Sequence, residues 1–130
     1  MIVAIIAAAI VAHLPAPIFG DFRHDGHRER AEVIRRPKGG YSLVVSREGQ
    51  GGGRADVIFS MKSARDFYVD RAKPGHYRTA CGKGYGPDQD HCTLEAVDLK
   101  GDTLDFGFSE SSEAVAMWTG RRFEVVWISD

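Results

Sequence analysis

The stretch from Lys73 to Thr93, KPGHYRTACGKGYGPDQDHCT, constrains this chain most, because it carries both of its cysteines, Cys81 and Cys92. Gly82, Gly84, Gly86 and Pro87 lie between them and let the backbone turn and return. Joined, the two thiols staple the chain here, and closing a loop of this size removes unfolded-state entropy worth about 3 kcal/mol. Left free, they are two buried thiols suited to a reducing cytosol. Which state holds depends on where the chain resides.

Residues 1–20, MIVAIIAAAIVAHLPAPIFG, contain no Asp, Glu, Lys or Arg. The apolar run from Ile2 to Ala12 is shorter than the roughly 20 residues of a membrane-spanning helix, and it fits the apolar region of a secretory signal. Pro15 and Pro17 stop a helix there. Ile18 and Gly20 offer a cleavage site before Asp21, where charge begins abruptly. No Lys or Arg precedes the run, so a buried first helix is the alternative. The expectation is a signal peptide over 1–20 with a helical core, a periplasmic or secreted mature chain, and no stable membrane span after cleavage. Cys81 and Cys92 then form one disulfide. The remaining ~110 residues suffice for one core, but a marginal one that a staple would help.

The formal net charge is −1, unevenly placed. Arg23, Arg28, Arg30, Arg35, Arg36 and Lys38 make the segment after Gly20 basic, and the chain beyond Pro87 is acidic. No dense basic patch forms, so no nucleic-acid partner is expected. Asp21 to Arg30, DFRHDGHRER, carries no apolar period. Residues 21–38 accordingly read as a flexible basic lead-in. His24 and His27 within it have the spacing of two metal ligands, but neither a cysteine nor a third histidine lies near.

Residues 39–130 read as a single compact β-rich domain. Ala31 to Arg35 is a short candidate strand ended by Pro37, Gly39 and Gly40. Tyr41–Ser46 and Ala55–Ser60 are rich in β-branched and aromatic residues and suggest a hairpin with a long glycine loop. Ser63 to Ala72 reads equally as a helical turn or a strand, and His76 to Ala80 as a brief extended piece. Thr93–Leu99, Thr103–Phe108, Ala114–Thr119 and Phe123–Ser129 are four more strands, with hairpin turns at Gly101-Asp102 and Gly120-Arg121. Ser109 to Glu113 is a solvated loop. Phe123, Val125 and Trp127 share one face of the last strand and Val126 and Ile128 the other, which predicts a central strand. The fold class is mainly β, a small antiparallel sheet or barrel, or α+β if Ser63 to Ala72 is helical.

Four constellations invite chemistry. Gly82-Lys83-Gly84-Tyr85-Gly86 has the composition of a phosphate cradle but lacks the following helix that would complete one. His76, His91, Asp88 and Asp90 would suit a transition metal or a general base. No HExxH or GxSxG motif is present. His76, Lys83, Tyr85 and His91 therefore stand as a candidate binding loop, with no catalytic residue assigned. The fourth is the loop Glu48-Gly49-Gln50-Gly51-Gly52-Gly53-Arg54-Ala55-Asp56. Set against D-x-[DN]-x-D-G-x-x-D, it offers Glu48, Gln50 and Asp56 as ligands, Gly53 as the turn glycine, and Gly52 where a third ligand belongs.

This loop resembles, in degenerate form, the calcium loop of FG-GAP or VCBS-type β-propeller repeats. Calcium wants six to eight oxygens, so the expectation is no cofactor, with weak calcium binding at most. Pro74 to Gly86, including ACGKGYG, together with Trp118-Thr119-Gly120-Arg121-Arg122-Phe123 and Val126-Trp127-Ile128-Ser129-Asp130, is similar to small exported bacterial proteins of unknown function, over roughly residues 40–130. The resemblance implies export and a compact domain, and no activity. The function expected is a non-catalytic binding or structural module of the cell envelope, inhibitor-like in one version, whose partner is a protein or glycan. The alternative is a small periplasmic hydrolase or metal-dependent enzyme using His76, His91 and nearby carboxylates.

Overall fold

The computed structural model describes residues 13–48, 55–87 and 89–129. The predicted signal helix lies in residues 1–12, outside them. Four strands form a first antiparallel sheet in chain order: β1 (Ile18–Gly20), β2 (Glu29–Arg35), β3 (Tyr41–Arg47) and β4 (Asp56–Met61). Along β2, Glu29, Ala31 and Val33 are buried while Arg30 and Ile34 are exposed, the period of two of a half-buried strand. A bulge opposite Leu43 and Val44 leaves Ile58 unpaired, so Ile58 and Phe59 both reach the core although they are adjacent in sequence.

Downstream come β5 (Phe67–Arg71), a two-stranded ribbon of β6 (Gly75–Arg78) and β7 (Ala96–Leu99), then β8 (Leu104–Phe108), β9 (Ser112–Trp118) and β10 (Phe123–Ser129). The second antiparallel sheet has the order β10-β9-β8-β5. Its inner face meets the first sheet over a core of Phe22, Leu43, Val45, Leu104, Phe106 and Ala114, all buried. Register explains the packing. Trp127, Ala114 and Phe106 are neighbours across β10, β9 and β8, as are Val125, Ala116 and Leu104. Small residues on the middle strand leave the volume that large ones on both sides fill, as dense interiors require. The outer face of this sheet is also apolar. Val115, Met117, Val126 and Ile128 pack there against Val97, Leu99 and Tyr77 of the ribbon. The second sheet is thus the middle of three layers. The fold is mainly β, and its only helical pieces among the described residues are two single 3₁₀ turns, Cys81–Lys83 and Gln89–His91.

Several expectations are corrected. Residues 21–38, expected as a flexible lead-in, include all of β2, and Phe22 is 2% exposed in the core. Asp21 N–H donates to Asp102 Oδ2 at 2.8 Å, and a His24 ring nitrogen lies 2.8 Å from Asp102 O, so this polar segment is tied down by single contacts that no periodicity reveals. The expected boundary at Gly20 also falls just after a strand, since Ile18–Gly20 pair with Glu29–Ala31. Of the two readings open for Ser63 to Ala72, the strand is the one that holds: the segment contains β5 and no helix. Gly101-Asp102 is not a hairpin turn: β7 pairs with β6 and β8 with β5 and β9, so the chain crosses there between layers. β10 is an edge strand rather than a central one, and it is apolar on both faces because its sheet is the middle layer.

Glu29 sits at an inward position of β2 with 0% exposure. A buried carboxylate needs a counter-charge and donors. Arg23 supplies both: its guanidinium pairs with Glu29 and with Asp56 on β4, and its own N–H donates to Glu29 Oε1 at 2.9 Å. The same guanidinium stands 5.3 Å from the ring centres of Trp118 and Phe123, at the turn between β9 and β10. One arginine therefore joins three segments of the first sheet to the hairpin of the second.

The expected consequence of the β1 pairing is measurable. A chain beginning at Asp21 should be about 2 kcal/mol less stable to urea than one beginning at His13, through loss of Ile18 burial and the β1–β2 ladder. Equal stability would show that β1 contributes nothing.

Candidate functional site: the groove between the disulfide loop and the last strand

The segment from Thr79 to Glu95 forms a loop held by one hub and one bond. Thr79 is buried, and its Oγ1 donates to Leu94 O at 2.6 Å while accepting from Gly82 N–H at 3.0 Å. Thr79 N–H reaches Glu95 O at 3.0 Å. Cys81 and Cys92 stand at disulfide distance with Cα atoms 5.4 Å apart, in the usual range of bridged pairs. Gly82 is obligatory, because a Cβ there would lie 2.0 Å from Glu95 O.

This loop leans on the edge of β10. Ala80 N–H donates to Trp127 O at 2.8 Å, and Lys83 Nζ donates to Ile128 O at 2.8 Å. Between loop and strand a groove of about 320 Å³ opens. Its loop wall includes Tyr85, Pro87, His91 and Leu94, and its floor is Glu124 to Trp127. Tyr85 and Leu94, 37% and 44% exposed, are among the few large apolar side chains left in solvent.

The orientation of the β10 backbone follows from the ladder. In antiparallel pairs, bonded and unbonded partners alternate. Thr119 N–H bonds Arg122 O at the turn, which makes Met117–Glu124 and Val115–Val126 the bonded pairs. Val125 and Trp127, opposite Ala116 and Ala114, therefore turn their N–H and C=O groups away from β9. The bond from Ala80 to Trp127 O comes from that side. Among the described residues, Val125 N–H, Val125 C=O and Trp127 N–H have no hydrogen-bond partner, and all three residues that frame them, Ala80, Val125 and Trp127, line the groove.

The sequence-assigned residues divide. Tyr85 and His91 line the groove. Lys83 does not, since its ammonium is spent on the end of β10, 5.9 Å from the Tyr85 ring; this leaves nothing of a phosphate cradle. His76 lies on β6, its Nδ1 2.7 Å from Asp98 Oδ1, and it does not line the groove with His91. Asp90 is exposed, and Asp88 lies outside the described residues. Of the calcium-like set, Gln50 with Gly52 and Gly53 lies outside the described residues. Glu48 pairs with Arg28 at 3.1 Å and Asp56 with Arg23, so arginines engage both carboxylates. No group of three or more metal-ligating side chains occurs among the described residues. A larger, shallower hollow of about 660 Å³ is lined by Phe19, Arg28 and Arg71, but those arginines already pair with Glu48 and Asp102.

Sequence reasoning missed a carboxyl pair. On the outer face of the second sheet, beyond the ribbon, Tyr68 OH donates to Asp105 Oδ1 at 3.0 Å and lies 3.5 Å from Glu113 Oε2. Gly107 makes the close approach of β8 and β9 here, because a Cβ would lie 2.0 Å from Ser112 O. Burial, then the hydrogen bond to Glu113 and its negative charge, push the Asp105 carboxyl up to about 7. Asp70 adds to this and Tyr68 opposes it. The only sequence signal was an acid at an outward position of each strand; their adjacency comes from register, with Gly107 opposite Glu113 and Asp105 opposite Val115.

In comparison with known proteins, no family model matches the chain, no curated protein is significantly similar to it, and no solved structure matches it.

The carboxyl pair gives a signed pH dependence. The folded chain keeps the Asp105 proton up to about 7, whereas the unfolded chain releases it near 3.8. Folding then takes up a proton between those values, so this contribution to stability is largest near pH 4 and is lost as the pH rises through 7. Asp105→Asn should stabilise the protein by about 1 kcal/mol more at pH 8 than at pH 4, a modest figure because the site is only half-buried. Urea unfolding at the two pH values checks this; an equal effect at both would contradict it.

Proposed function

We propose that this chain is an exported binding module of the cell envelope, periplasmic or secreted, and that the groove between the disulfide loop and β10 is its ligand seat. The observation that carries this reading is the pairing of exposed Tyr85 and Leu94 with unpaired strand-edge groups in one concavity. Binding sites are usually concavities in which a few polar groups converge beside apolar side chains, and their volumes begin at about 300 Å³. Cysteines at disulfide distance fit an oxidising compartment. The charge-free residues 1–20 support export, with removal of a signal upstream of Ile18, because a cut at Gly20 would take β1 with it.

An enzymatic reading through His76 and His91 has less support. His91 lines the groove and His76 does not, and His76 is committed to Asp98 on an exposed ribbon.

Fractionation of a Gram-negative host expressing the full chain tests the reading. The expected result is a shortened, oxidised protein in the periplasm that sediments with the envelope fraction. The folded Tyr85→Ala and Leu94→Ser variants should be processed equally but stay soluble. Full-length protein in the cytosol, or equal sedimentation of all three, would overturn the reading.

A further inference from the structure

This inference rests on the groove being the ligand seat and names the chemistry of what enters it. We infer that the groove takes an extended peptide segment of a partner protein, which adds to β10 as an outer strand and pairs with Val125. Val125 N–H, Val125 C=O and Trp127 N–H face the groove in one line, with alternate residues spaced about 7 Å along the strand. An extended backbone presents donors and acceptors at that same repeat, which is how strand addition obtains its affinity. The scattered hydroxyls of a glycan carry no such repeat.

The ladder is already begun. Ala80 N–H takes Trp127 O, and a strand entering the groove continues from that point along β10 toward Phe123. The loop wall then meets its side chains: Tyr85 and Leu94 offer apolar surface to an aliphatic or aromatic residue of the peptide, and Glu124 stands at the rim. Natural sheets seldom leave an edge open without covering or charging it. Here the disulfide loop covers the C-terminal part of β10 and stops short of Val125. A second copy of the chain is a poorer occupant. Pairing β10 with β10 about a two-fold axis brings both Tyr85–Leu94 walls to the same edge.

The test uses a random heptapeptide phage library panned on the oxidised wild-type chain, followed by synthesis of the enriched peptide. Val125→Pro is the decisive variant. It deletes an outward N–H and leaves the ladder to β9 intact, since Val125 does not bond β9, and edge strands tolerate proline at such positions. Because the Val125 side chain also packs on the inner core, Val125→Ala is the packing control and should bind the peptide as wild type does. Calorimetry should show affinity for Val125→Pro about tenfold weaker than for wild type, and amide exchange at Val125 and Trp127 should slow in the wild-type complex. If Val125→Pro does not fold, the peptide is N-methylated instead at one or the other set of alternate residues. Loss of binding with one set only supports strand addition, and equal effects of both overturn it. Equal binding to both proteins without amide protection overturns it. So does failure to enrich any peptide while envelope sedimentation still depends on Tyr85 and Leu94, a result that leaves the binding-module reading standing. A Val125-dependent dimer without peptide would make the occupant a second copy and also overturn it.

Discussion

The structure depends on a charge that should not be where it is. Glu29 occupies a core position with 0% exposure, and a lone carboxylate there would cost several kcal/mol. Arg23, itself nearly enclosed at 14% side-chain exposure, makes that position tenable. Because its guanidinium also meets Asp56 and lies over Trp118 and Phe123, the compensation is distributed over both sheets. The polar segment 21–28 is ordered by this, since the core offers it only Phe22 as an apolar anchor. The same contact fixes the turn that launches β10, and with it the floor of the groove.

The groove is a product of how the middle layer is finished. β10 has apolar side chains on both faces, claimed by the inner core and by the ribbon. Its free edge is where backbone groups have no claim on them. Thr79, the cysteine pair and Gly82 fold the loop tightly enough to cap Trp127 and Ile128 and no further. What is left open is a short length of ladder beside two exposed apolar side chains. A disulfide in a small domain is usually read as a stability device; in this fold its position also sets how much of the edge is exposed.

Much of the strand pattern was legible. Leu104-Phe106-Phe108 and Tyr41–Ser46 declare themselves by alternation and composition, and the glycine-rich cysteine loop declares a tight return. What alternation does not carry is which neighbours a strand has. The apolar faces of Phe123–Ser129 signal burial on both sides, but a central strand and an edge strand of a middle layer look alike in sequence. Gly101-Asp102 marks a reversal without saying that the chain changes layer. DFRHDGHRER hides its structure, because its order comes from ion pairs across the molecule, and an inward glutamate reads in sequence as an outward one. The groove was half visible: Tyr85 and His91 were singled out by loop composition, whereas Leu94 and the bare edge at Val125 exist only once register is known.

The account stands on the coupling between Arg23 and Glu29, and a double-mutant cycle measures it directly. Arg23→Met, Glu29→Gln and the double variant would be unfolded in urea beside the wild type. Each single change should cost about 3 kcal/mol by stranding a buried charge or its partner, and the double variant should cost less than their sum by at least about 1.5 kcal/mol. Costs that add within about 0.5 kcal/mol would mean that the two residues act independently, and that something other than this pair joins the sheets.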